Sequence, residues 1–159
     1  MVVAMFVLPL AVAALWDLAS FRIPNLLPLA LLVLFPVAVA VSAVPVAWGW
    51  HLAAGAVVLA VGAGLFALGL LGGGDAKLMA AAALWLGSGN LLGFLLVTSL
   101  AGGVLTLVIL LLRAAPVRTA LAGMGLAPAV LRPRGGIPYG VAIAVGGAAL
   151  VQSLPMVGG

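Results

Sequence analysis

The stretch from Leu78 to Leu112, LMAAAALWLGSGNLLGFLLVTSLAGGVLTLVILLL, runs 35 residues without a charge. As one helix it would be about 52 Å long at 1.5 Å per residue, against a bilayer core of about 30 Å. Gly87-Ser88-Gly89-Asn90 in its middle is a turn signal. The stretch therefore reads as a short helix over about 76–87 and a second over about 91–112. That split decides how many times the chain crosses a membrane.

Working outward, Met1 to Trp16 is uncharged and Asp17 closes the run, which gives a first helix over about 1–18. No basic region or small-residue cleavage site marks this segment, so it reads as a membrane helix and not as a removed signal peptide. From Ile23 to Gly74 there is again no charge, with a break at Pro45-Val46-Ala47-Trp48-Gly49-Trp50-His51. Two helices fit there, over about 26–44 and 50–71. Downstream, Ile137 to Val157 is apolar and gives a helix over about 137–156. The segment 113–136 holds Pro116, Pro128, Pro133 and four arginines, and reads as a non-spanning stretch on the cytoplasmic surface. The expected fold is an all-α integral membrane protein, a single domain over 1–159 with six transmembrane helices.

Composition agrees. The chain is 67% hydrophobic and 5% charged, where soluble domains carry roughly 25% charged residues. The apolar runs are continuous and not alternating, which favours helices strongly over barrel strands. With six spans, Arg22, Lys77, Arg113, Arg118, Arg132 and Arg134 all fall on one face, which the positive-inside rule makes cytoplasmic, with both termini non-cytoplasmic. Fusing the two helices across Gly87 would divide the bases between the two sides. Trp48 and Trp50 then lie at the outer boundary and Trp16 at the inner one, as aromatic belts do. The net charge of +4 is scattered between apolar segments and is no nucleic-acid signal. There is no cysteine, and His51 is the one histidine; with two carboxylates it makes a thin ligand set, so neither metal nor cofactor is expected. The small-residue pairs Gly62 and Gly64, Gly102 and Gly103, and Gly146 and Gly147 read as close helix packing.

Asp17 and Asp75 are the only acids in 159 residues. A carboxylate in so apolar a chain is costly unless it faces water, a partner or a reaction. In the six-span arrangement both sit at the same cytoplasmic boundary. Two carboxylates brought together can share one proton, because like charges at about 3 Å do not both ionise easily. The ionised one can take a proton from an attacking water while the protonated one hydrogen-bonds the carbonyl under attack, the chemistry of aspartyl peptide hydrolysis. Gly72-Gly73-Gly74 precedes Asp75 directly. Glycines there present no side chain, tolerate positive φ and expose backbone groups that an extended substrate could pair with.

Plainer readings stand beside these. Asp17 could be an interfacial charge near Arg22, Asp75 a helix N-cap, and the glycines a flexible turn. Pro24-Asn25 and Pro138 fit ordinary helix starts. Lys77 and Tyr139 are candidate supporting residues, although Lys77, two positions after Asp75, would face elsewhere on a helix, and Tyr139 also suits an interfacial role. His51 falls on the far face. A proton-coupled transporter is the alternative function, but such proteins place their acids near the midplane and often show inverted repeats, and this sequence shows none. A structural subunit would need no acids.

Three blocks resemble a known family: Asp17 followed by Arg22-Ile23-Pro24-Asn25, then Gly72-Gly73-Gly74-Asp75-Ala76-Lys77, then Ile137-Pro138-Tyr139-Gly140. In this order and spacing they are similar to the prepilin peptidases, the type IV leader peptidases of the GxGD aspartyl protease group, and in particular to the short CpaA/TadV-like forms that serve tight-adherence (Flp) pili. The resemblance implies that Asp17 and Asp75 are catalytic and that the substrate is a prepilin or pilin-like protein. It implies a short basic leader cut at the cytoplasmic face, just before the substrate's apolar helix. Long members carry an extra region with zinc-binding cysteines and N-methylate the product; this cysteine-free chain is expected to act as a peptidase only. Archaeal preflagellin peptidases share the two-aspartate logic.

Overall fold

The computed structural model describes residues 1–124 and 136–156. Arg132, Arg134, Pro128 and Pro133 lie outside the described residues. The helices are α1 (Val2–Ser20), α2 (Leu26–Ala40), α3 (Trp48–Ala67), α4 (Gly73–Arg113), the short α5 (Ala115–Gly123) and α6 (Tyr139–Ala149), which runs into a 3-10 turn at Val151–Ser153. α1, α3 and α4 are long and apolar enough to cross a membrane; α2 and α6 are apolar but shorter, at 15 and 11 residues. Leucines and valines on their outer faces are widely exposed, Leu15 and Leu107 among them, which suits hydrocarbon and not water.

α4 is interrupted at Gly87, where φ is 72° and ψ is 176°. That backbone region is essentially reserved for glycine. The break leaves a first arm, 73–86, and a second, 88–113. Polar side chains serve the carbonyls beside it. His51 Nδ1 donates to the Leu84 carbonyl at 2.7 Å, which requires the tautomer protonated at Nδ1, and Asn90 Nδ2 donates to Leu86 O at 3.2 Å and to Ser153 O at 2.8 Å.

The first arm of α4 is the centre of the molecule. Ala80 to Gly87 are all buried, as befits a helix surrounded by others. α3, α2 and α6 pack on α4, and α1 packs on α6 and α2. Small residues set the closest approaches: a Cβ on Gly62 would meet Ala76 Cβ at 3.0 Å, and one on Gly147 would meet Leu10 Cδ1 at 2.6 Å, whereas Gly64 and Gly103 face open space. Above the alanines an aromatic cluster fills the wider gap. Trp85 stacks on Phe6 with ring centroids 5.4 Å apart, and Phe35 meets Trp85, Trp48 and His51. The Trp85 indole N–H also donates to Leu31 O at 2.8 Å, tying α2 to α4. Trp16, Trp48 and Trp50 are exposed while Trp85 is fully buried.

Candidate active site

Asp17 belongs to the buried stripe of α1. Phe6, Leu10 and Ala13 precede it on the same face, and all four are buried, Asp17 to 4% exposure. The carboxylate thus points into the bundle. There the Gly140 N–H, near the N-terminus of α6, donates to Asp17 Oδ2 at 2.8 Å. A helix N-terminus is a good place for a carboxylate, because its first N–H groups lack helical acceptors and the helix dipole is positive there.

α1 stops three residues later, at Ser20, with an unusual cap. Phe21 adopts a left-handed conformation, φ 54° and ψ 33°, and its N–H donates to Asp17 O at 2.8 Å. A left-handed non-glycine residue costs roughly 1–2 kcal/mol. The turn sends Arg22-Ile23-Pro24-Asn25 across the start of α4. Ile23 is the wedge of this junction: a Cβ on Gly74 would lie 3.0 Å from Ile23 Cβ, and one on Gly140 would lie 3.1 Å from Ile23 Cδ1 and 3.0 Å from Asp17 Oδ2. All three sequence blocks therefore meet at Ile23.

Asp75 is the third residue of α4, in the first turn behind the N-cap Gly72. An acid there is favoured by the positive end of the helix dipole. The plain reading of Asp75 as a helix-starting residue and its reading as a site residue are thus both compatible with one position. Asp17 and Asp75 lie close enough to interact electrostatically.

The glycine run serves space and not positive φ. Gly72 is extended at φ −71° and ψ 141°, Gly73 and Gly74 open the helix, and the positive-φ glycines among the described residues are Gly69 and Gly87. A Cβ on Gly72 would come within 2.5 Å of Asp75 Oδ2, and one on Gly73 within 3.3 Å of the Phe66 ring. Lys77 faces away from both acids and donates from Nζ to Asn25 Oδ1 at 3.0 Å. Tyr139 lies with its ring and hydroxyl against Gly102 of the second arm of α4.

Asp75, Gly72 and Tyr139 line one cleft of about 960 Å³. Its walls run from Asp75 and Arg113 along apolar residues of α3 and α4, including Val61, Leu65 and Leu95. Arg113 Nη2 donates to Gly136 O at 2.8 Å, closing one end. Asp17 is not among the residues that line this cleft; it is held by the Gly140 N–H. Ile23 and Gly140, which the sequence reading quotes only as parts of motifs, make the contacts that join the blocks.

Residues 4–107 match the model of the Type IV leader peptidase family. The chain belongs to the type IV leader peptidase family. The matched region holds α1, α2, α3 and most of α4, and with them both acids. No curated protein and no solved structure matches significantly. Leader peptidases are proteases of prepilin-like substrates, and the apolar helices agree with a membrane protein.

Proposed function

We propose that this leader peptidase family member is an aspartyl endopeptidase with Asp17 and Asp75 as its catalytic pair. It removes the short basic leader of Flp-type prepilins or pseudopilins at the cytoplasmic face of the inner membrane. The observation that carries this reading is the junction at Ile23. It sets a buried carboxylate, held by the Gly140 N–H at 2.8 Å, in electrostatic reach of a second carboxylate on a cleft.

In the proposed reaction the ionised carboxylate takes a proton from water as its oxygen attacks the scissile carbonyl. The protonated carboxylate gives its hydrogen bond, then its proton, to the carbonyl oxygen. The tetrahedral intermediate collapses, the C–N bond breaks, and the leaving nitrogen takes up a proton from the pair. The cleft beside Asp75 suits the apolar segment that follows the cut, since its walls are largely aliphatic. Six crossings, counting both arms of α4, place every base on the cytoplasmic side with both termini opposite. The leader would be presented on that side. Peptidase action without N-methylation fits a chain with no cysteine.

The test is co-expression with a pilin-like precursor, read by gel shift and by the mass of the new N-terminus. Wild type should cut, and Asp17→Asn and Asp75→Asn should not. Cleavage by either variant at the wild-type rate would overturn the two-aspartate mechanism.

A further inference from the structure

A second cleft, of about 510 Å³, lies between α2, α3 and the first arm of α4, and shares no lining residue with the Asp75 cleft. Its walls are aliphatic, with Leu32, Ala56, Leu59 and Ala81 along its length. Its polar lining is confined to Lys77 and Asn25. Leu32 and Leu59 are about half exposed, so the cleft opens outward from the bundle.

The charge in this cleft is unbalanced. Lys77 is exposed, and its described partner is the neutral Asn25 side chain, at 3.0 Å. No acid lines the cleft; Asp17 is held by the Gly140 N–H and Asp75 lines the other cleft. An ammonium keeps two further N–H groups after one bond, and the Asn25 amide adds its own. The complement of this surface is a molecule with one hydrocarbon chain and an adjacent anion able to accept several hydrogen bonds. In a protein surrounded by lipid, we propose that this cleft binds an anionic phospholipid, with an acyl chain along the α2–α3–α4 walls and the phosphate on Lys77 and Asn25.

The site reaches the loop that shapes the junction at Ile23. Asn25 lies two residues after Ile23, which presses on Gly74 and Gly140. A phosphate bridging Asn25 and Lys77 ties that loop to α4, so lipid binding stabilises the fold. The inference does not depend on which residues catalyse.

The experiment uses the full chain in nanodiscs of phosphatidylcholine, with and without phosphatidylglycerol. Thermal midpoint is measured together with native mass spectrometry of retained lipid. Phosphatidylglycerol should raise the midpoint of wild type and of Lys77→Arg, and should be the lipid retained. Lys77→Gln should lower its retention by about tenfold, the worth of one charge-assisted hydrogen bond. Ala56→Trp, at an exposed wall position, should block retention by filling the cleft. Equal retention of the two lipids, or an unchanged phosphatidylglycerol effect in Lys77→Gln, overturns the proposal. So does a midpoint shift reproduced by inorganic phosphate alone. A photo-crosslinker at position 56 that captures the apolar segment of a pilin-like precursor and not lipid would make the cleft a substrate surface instead.

Discussion

Gly140 holds Asp17 across 123 positions of sequence, its N–H donating to Oδ2 at 2.8 Å. A hydrogen bond to a charged group contributes roughly 1.5–3 kcal/mol, and here it also fixes the direction of a buried carboxylate.

Gly140→Ala puts a methyl 3.0 Å from Asp17 Oδ2 and 3.1 Å from Asp17 Cβ. Neither neighbour is the free end of a long side chain, so the carboxylate must rotate or α6 must shift. Cleavage of a co-expressed precursor should fall at least about tenfold, since displacements near 1 Å cost that much or more. The protein should still insert and melt cooperatively. Activity equal to wild type would show that Asp17 need not be held.

Removing the acids should separate activity from stability. Asp17→Asn keeps an oxygen for the Gly140 N–H and should melt within a few degrees of wild type. Asp17→Ala leaves that buried donor without its partner, at a cost of about 1–3 kcal/mol. Asp75→Ala loses an acid in the first turn of α4 at a partly exposed helix end, costing about 1 kcal/mol or less. The check is the order of thermal midpoints in one detergent: Asp17→Asn highest, then Asp75→Ala, then Asp17→Ala.

Gly87→Ala should be destabilising by roughly 1–3 kcal/mol through its backbone conformation alone. Its Cβ would also sit 2.9 Å from His51 Cε1, which disturbs the bond to Leu84 O. His51→Ala should cost about 1–3 kcal/mol by leaving that carbonyl without its side-chain donor. Because the two changes disturb one contact, the double variant should lose less than the sum of the singles. Additive losses would mean that ring and break are independent.

Gly74→Leu drives a side chain into Ile23, whose Cβ and carbonyl oxygen would be 3.0 and 3.3 Å from the new Cβ. Cleavage should be abolished with the helical content retained by circular dichroism. Ile23→Gly in the same chain removes the Cβ that the new side chain meets first and should restore part of the activity. No recovery would point to a role for Gly74 other than making room for Ile23.

Much of this arrangement can be read from the residues. Asp17 stands out as one of two acids in an apolar chain, but α1 is apolar on every side, so its inward direction shows only once the bundle is packed. Gly87-Ser88-Gly89-Asn90 announces the interruption of α4 because its backbone needs glycine and its freed carbonyls need an amide. Other features are products of tertiary packing. Nothing in a phenylalanine signals the left-handed turn at Phe21; it is held by the helix before it and the packing of its ring on Gly136. His51 reads as a distant, uninvolved residue until α3 lies on α4 and brings its ring to Gly87. The glycines before Asp75 suggest flexibility, yet they work by absence of volume. That distinction depends on which neighbour each one faces.

The reach from Asp17 to Gly140 also imposes an order in time. Asp17, on α1, leaves the ribosome well before its donor, which arrives only with α6. In the interval the carboxylate must stay hydrated or carry a proton, because an unpartnered charge is poorly tolerated in hydrocarbon. A half-made chain therefore has no settled carboxylate pair. On the reading above, proteolytic competence switches on only after α6 has been made and has closed against α1, which spares neighbouring nascent membrane proteins from a protease still being built.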